Sequence, residues 1–252
     1  EVVAKAMTET QNRWNAGAST RLVFTGLALD LGAGVAAPGE APLRILVLGD
    51  SITEGVRTLG ESAALDVDRN DALMGWAHRL GALLGVEVGV VGFGATGLTV
   101  SGSGNVPVLP ASWSLIYAGA PRVLTPAPAL VVINIGTNDG ASNTVSAMVS
   151  LLNGVTAACP GVPVAVMRPF NGAQAANLQA AMAACSAPGA CRWIDTTGIF
   201  ETTYGADGLA LHPSGPNNLG RIAPAVAALL RPLIAGSGSP VFRGGFQRTL
   251  LG

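Results

Sequence analysis

Titratable and cationic side chains are scarce in this sequence. A single lysine, Lys5, stands against thirteen arginines, the only histidines are His78 and His212, and charged residues make up 12% of the 252 positions. The formal net charge is −1 and no basic cluster occurs, so the electrostatic footprint of a nucleic-acid binder is missing. Apolar residues reach 49%, yet Gly and Pro interrupt them, and no run approaches the roughly 20 residues that span a bilayer. Two histidines and three scattered cysteines offer no ligand pair at metal spacing, which argues against zinc, and no cofactor is expected. Residues 1–15 read as polar and helical in character and show no signal-peptide pattern, which fits the expectation of a mature or trimmed chain.

What is present is a set of short apolar runs. Those at 44–48, 87–91, 130–135, 163–167 and 191–194 read as buried strands, and 73–84, 145–158, 173–185 and 216–233 between and after them read as helices. Asn171 with Gln174 three positions on suggests a cap for the third helix, and Ser214 one for the last. Alternating strands and helices predict a parallel sheet covered on both faces, so the expected fold is a three-layer α/β/α sandwich with a mostly parallel five-stranded central sheet. This domain should occupy residues 43–235, between a β-rich extension at 1–42 and a tail at 236–252 whose segment 241–251 could pair with the N-terminal strand.

Polar turns follow the strands where open α/β sheets bind their ligands. Ile45-Leu-Val-Leu-Gly-Asp-Ser-Ile-Thr-Glu-Gly55 delivers Ser51 into a tight turn. Val88–Val91 leads into Gly92-Phe-Gly-Ala-Thr-Gly-Leu-Thr99, Leu130–Ile135 leads into Gly136-Thr-Asn-Asp139, and Asp207-Gly-Leu-Ala-Leu-His-Pro-Ser214 lies near the end. In order and spacing these four blocks resemble those of the SGNH (GDSL) hydrolases, a family of serine esterases and lipases, over roughly residues 43–234.

The resemblance implies an SGNH-type, flavodoxin-like fold and a division of labour that acyl transfer needs. Ser51 would be the nucleophile, His212 its base and Asp207 the acid that orients the imidazole. The Ser51 and Gly97 backbone N–H groups and the Asn138 side-chain amide would form the oxyanion hole. A glycine at 97 would keep a side chain out of the path of the substrate oxygen. The family's usual acid lies three residues before the histidine, but that position is Leu209, and Asp207 precedes His212 by five. Asp195, at the end of a strand, is the next candidate, although an Asp there more often caps its own turn; a backbone carbonyl is a third possibility.

Other residues carry blander readings. His78 suits a surface or packing role on a helix, and Asp50 and Asp139 suit local turn hydrogen bonds. Gly92 to Gly97 does have Gly-x-Gly-x-x-Gly order. It follows the second strand rather than the first, opens onto a Gly/Ser/Pro-rich stretch, and has no acid after it before Asp139, so a dinucleotide site is not expected. Cys185 and Cys191 enclose Ser-Ala-Pro-Gly-Ala and could bridge; the alternative is three buried thiols with Cys159.

The substrate implied is a small acyl ester, acetyl on a carbohydrate first, either a small molecule or a polysaccharide. Arg69-Asn-Asp-Ala72 with Gly75-Trp76 and the 102–113 loop look like those of carbohydrate-esterase relatives, and residues 21–31 resemble the end of the β-sandwich that precedes the catalytic domain in some of them. Trp76 or Trp113 could stack on a sugar, or either could be core. A lipase or thioesterase would need an apolar channel, for which Val108, Leu109, Leu115 and Ile116 are the candidates. A non-catalytic carbohydrate-binding module on the same fold is the third reading. The family's habits point to a secreted or periplasmic location.

Overall fold

The computed structural model describes residues 11–15, 17, 25, 26, 28–30, 32, 34, 43–60, 62–200 and 211–235. Asp207, the 241–251 segment and most of residues 21–31 therefore lie outside the described residues.

Short runs of Val, Ile and Leu with both faces covered make parallel strands rather than half-buried antiparallel ones. Leu130–Asn134 (β5) is buried at every position, and so is Val164–Met167 (β6). With Arg44–Gly49 (β1), Glu87–Gly92 (β2) and Cys191–Ile194 (β7) they form one parallel sheet in the order β2-β1-β5-β6-β7. The register sets Gly49 at the carboxyl end of β1 beside Gly92 of β2 and Asn134 of β5.

Alternate residues of β1 feed two cores, as a period of two requires. Ile45 and Val47 join Trp76, Leu80, Val226 and Leu230 on the face covered by Trp76–Leu84 (α2) and Ala223–Ala235 (α7). Leu46 and Leu48 join Leu98, Trp113, Met148 and Leu152 under Val145–Ala158 (α4) and Ala175–Ala184 (α5). The expected α/β/α sandwich and all five strands are thus present. After β2 the chain crosses back over β1 to lay down β5, so the order reverses between β1 and β5, where ligands bind in open sheets.

Helix starts differ from expectation for local reasons. The Asp71 carboxylate accepts the Leu73 N–H (3.0 Å) and caps a 3-10 turn over Ala72–Met74, and Gly75 is extended, so α2 opens at Trp76 instead of residue 73. Asn171 accepts the Ala173 N–H (3.0 Å) in a turn of its own, while Gln174 sits at φ +59, so the expected Asn171–Gln174 cap does not form. Ser214 does cap its helix, accepting the Asn217 N–H (3.4 Å), but a π-turn over Asn218–Ile222 separates Gly215–Asn217 (α6) from α7. The stretch that reads as loop holds a short helix, Leu109–Ser112 (α3), and a small hairpin of Leu115–Tyr117 (β3) with Ala120–Pro121 (β4).

The three cysteines are free, buried thiols. Cys185 and Cys191 meet as expected, with Sγ atoms 3.8 Å apart, beyond the roughly 2.05 Å of a disulfide. Burial and the Cys185 neighbour push the Cys191 thiol up to about 12. Among the described residues no helix is long and apolar enough to cross a membrane, and no cluster of three or more His, Cys, Asp or Glu could hold a metal.

Candidate active site

The site begins where β1 ends. Gly49 admits close packing: a Cβ there would fall 2.1 Å from Thr53 Oγ1 and 2.6 Å from the Asn134 carbonyl oxygen. Asp50 then caps the short helix Ser51–Glu54 (α1), its Oδ1 accepting the Ile52 N–H at 3.0 Å, and Gly55 closes the helix at φ +88. Ser51 therefore occupies the first helical position, where backbone N–H groups have no intrahelical partner. Burial pushes the Asp50 carboxyl up to about 7, offset in part by the Ile52 N–H and the Thr137 hydroxyl.

His212, from the loop before α6, meets Ser51 across the sheet edge: Nε2 stands 2.9 Å from Oγ, and the two residues are only 6% and 4% exposed. The contact joins residues 161 positions apart. The two loops are tied directly. Thr58 accepts the Gly215 N–H on its carbonyl (2.9 Å), while its hydroxyl donates to the Asp71 and Gly55 carbonyls (3.1 and 3.2 Å) and accepts the Asp71 N–H (2.9 Å). Asn70 accepts the Arg57 N–H (2.7 Å), and Asn218 donates to the Pro213 carbonyl (2.9 Å) beside His212. Asn70 and Asp71, in the stretch that looks like that of carbohydrate-esterase relatives, are buried and brace the loop that carries Ser51. Sequence reasoning missed Thr58 and Asn218: nothing near Thr58 marks its partners at 71 and 215, and Asn218 read simply as part of the last helix.

The turns after β2 and β5 are knitted together just as tightly. Asn138 Nδ2 donates to the Thr96 carbonyl at 2.9 Å. Asp139 accepts the Leu98 N–H (2.9 Å), the Thr99 N–H (2.7 Å) and the Thr99 hydroxyl (2.8 Å), so its hydrogen bonds reach some 40 residues back and are not the local ones expected. Gly97 packs on that carboxylate, where a Cβ would lie 2.7 Å from Oδ1 and 2.8 Å from Oδ2. Its glycine is thus required by Asp139, whatever the substrate needs. The Gly97 N–H already donates to the Val100 carbonyl (2.8 Å).

Ser51 and His212 are thus brought together. Asp195 is fully exposed and accepts the Thr197 N–H (3.0 Å) and hydroxyl (2.6 Å), contacts that hold its carboxyl below the usual range, so it serves its own turn. The two tryptophans offered as stacking faces are corrected. Trp76 is completely buried, edge-on to Phe170 (5.9 Å between centroids), and Trp113 is 5% exposed in the opposite core. Of the channel candidates, Leu109 is fully buried in that core, whereas Ile116 faces solvent. His78 is exposed on α2, as its surface reading expected.

A parallel α/β/α sandwich with a buried Ser–His pair beyond the carboxyl end of its first strand has the SGNH hydrolase fold. The family model of the GDSL-like lipase/acylhydrolases matches residues 47–216, and the chain belongs to that family of carboxylic ester hydrolases. A sequence search of curated proteins finds no match.

Among solved structures, a family two carbohydrate esterase from Clostridium thermocellum in complex with cellohexaose aligns at TM-score 0.67 and 20% identity over 80% of this chain and 67% of its own. An acetyl xylan esterase from Butyrivibrio proteoclasticus aligns at 0.65 and 15%, over 79% and 66%. The aryl esterase of M. smegmatis aligns at 0.53 and 20%, over 76% of this chain and 99% of its own. The match thus spans about two thirds of the two carbohydrate esterases but nearly all of the aryl esterase.

Proposed function

We propose that this protein is a serine esterase that removes small acyl groups, acetyl first, from carbohydrate. The observation that carries the reading is the 2.9 Å contact between His212 Nε2 and Ser51 Oγ in a buried site. A serine hydroxyl is a weak nucleophile until a neighbouring base takes its proton. In the proposed reaction Ser51 Oγ attacks the ester carbonyl as His212 Nε2 accepts its proton. The imidazolium then protonates the departing alcohol oxygen, leaving an acyl-Ser51 ester. Water, deprotonated by His212, attacks that ester, and the proton returns to Ser51 as the carboxylic acid leaves. Asp207 is assigned to orient the imidazole and stabilise its cationic form.

The oxyanion is assigned to the Ser51 N–H at the start of α1 and to the Asn138 N–H not committed to Thr96. The Gly97 N–H joins them only when the 97–100 turn releases it from Val100. Supporting the small acyl group, Leu109, one of the residues offered for a longer acyl channel, is packed into the core. Supporting carbohydrate, solved structures with this fold include an acetyl xylan esterase, a carbohydrate acetylesterase and a carbohydrate esterase in complex with cellohexaose. A polymeric substrate would place the enzyme outside the cytoplasm.

The test is hydrolysis of p-nitrophenyl esters from acetate to octanoate, then acetate release from acetylated xylan, by the wild type beside Ser51→Ala. Turnover that peaks at acetate and vanishes in the variant supports the reading. A peak at octanoate would replace it with a lipase, and no turnover above the variant on any ester would leave a binding module.

A further inference from the structure

The helix that carries Ser51 has four residues, too few to hold an orientation by its own hydrogen bonds. Asp50 and Gly55 fix its two ends, and its last residue, Glu54, is wedged against β2: a Cβ on Gly92 would lie 2.6 Å from the Glu54 nitrogen and 2.8 Å from its Cα. The Glu54 side chain runs on to the segment at 11–15. Both of its carboxylate oxygens meet the Arg13 guanidinium, Nη1 on Oε1 and Nη2 on Oε2 (3.3 Å), with the two side chains only 10% and 21% exposed.

Arg13 is itself fastened to the loop that follows β2. Its guanidinium stands 5.7 Å over the Phe93 ring, its backbone N–H donates to the Gly104 carbonyl (3.1 Å), and Trp14 meets Phe93 edge-on at 5.7 Å. Gly104 lies at φ +70, and a Cβ on it would fall 2.3 Å from the Gln11 carbonyl oxygen, so the loop accommodates the 11–13 backbone. The same loop carries Thr96, which accepts from Asn138, and Leu98 and Thr99, which hold Asp139. Arg13 thus bridges the nucleophile helix and the loop that braces Asn138.

We propose that Arg13 is a positioning residue for hydrolysis: through Glu54 it fixes α1, and with it Ser51, against the 93–105 loop, making residues 11–15 part of the catalytic unit rather than of a detachable extension. The inference rests on the esterase reading for its kinetic consequence but not for its structural one. An ion pair this far from solvent is broken at a cost when one partner is removed, because the other charge is left buried. Small displacements of a reacting group lower turnover steeply without an equal loss of binding.

The experiment uses the full chain with Arg13→Gln, Arg13→Lys and Arg13→Gln/Glu54→Gln. It measures p-nitrophenyl acetate kinetics and amide hydrogen exchange over 51–55 and 92–99 at a temperature where every variant is folded. Expected for Arg13→Gln is a kcat lower by about tenfold to a hundredfold with KM little changed, and exchange about tenfold faster in both segments. Lysine keeps the charge and should recover part of the loss, and the double variant, which has no buried unpaired carboxylate, should exceed the single one. Wild-type kcat and exchange in folded Arg13→Gln would overturn the proposal, as would a loss of thermal stability with neither changed. If the wild type hydrolyses no ester, the esterase reading falls, and exchange alone decides whether Arg13 holds α1.

Discussion

Gly97→Ala separates two reasons for a glycine at one position. If the residue is glycine only to leave room for a substrate oxygen, alanine should fold as well as the wild type. The structure places a different obstacle there: the new Cβ would come within 2.7 to 2.9 Å of three atoms of the Asp139 carboxylate. That group cannot swing aside freely, because it accepts two backbone N–H groups and a hydroxyl at 2.7 to 2.9 Å. Overpacking of this kind costs about 1 to 3 kcal/mol, and each hydrogen bond to a charged group is worth about 1.5 to 3 kcal/mol if the carboxylate moves instead. The expected loss is therefore about 2 to 3 kcal/mol, read from the urea midpoint at unchanged m-value, with reduced kcat because Asp139 adjoins Asn138. In an Asp139→Ala background the obstacle is gone, and the cost of Gly97→Ala should fall below about 1 kcal/mol, a coupling that marks direct contact. An equal cost in both backgrounds, or none in the wild type, would refute the reasoning.

Ser51→Ala and His212→Ala should each lower kcat on p-nitrophenyl acetate by at least about a thousandfold, and combining them should cost little more than either alone, because the two act as one unit; additive losses would contradict a shared proton transfer. Asp50 ionises near 4 in the unfolded chain but holds its proton to about 7 in the fold, so the native state binds more protons through that window and stability falls as pH rises across it. Asp50→Asn, which can still cap Ile52, should flatten that part of the pH–stability curve, and an unchanged slope would place the proton elsewhere. Thr58→Val removes the acceptor of the Asp71 N–H while keeping the side-chain volume, and should cost about 1 to 3 kcal/mol in denaturant unfolding together with a fall in kcat; full stability would show that the tie between the Ser51 and His212 loops does not need the hydroxyl.

How much of this was legible in the sequence depended on the range of the interaction. Five strands could be placed within a residue or two because a run such as Leu-Val-Val-Ile, covered on both faces, carries its environment in its composition. Ser51 and His212 could be picked as partners because each sits in a turn whose pattern resembles a family block, and the structure brings them to 2.9 Å. Helix starts were less legible: Asp71 and Asn171 each cap a turn that comes before the helix, and a side chain able to close either structure does not announce which it will close. The tryptophans failed for a related reason, since a large ring with one polar atom suits a sugar face and a core equally until burial is known.

The long-range ties were not legible at all, and they decide the geometry of the site. Asp139 reads as a turn residue, yet its carboxylate reaches Leu98 and Thr99 and dictates the glycine at 97; Gly92 and Gly104 are glycines for Glu54 and Gln11 in the same way. At each of these positions a Cβ would meet atoms from a distant part of the chain, so the blocks that look like separate motifs are halves of contacts. A Ser–His pair 161 residues apart can hold 2.9 Å only if the loops carrying it are fixed to one another. Thr58 to Gly215 makes that connection directly, and Asn138 to Thr96 ties the turns after β5 and β2 in the same way, so Thr58, outside all four blocks, helps set the distances on which the proposed chemistry depends.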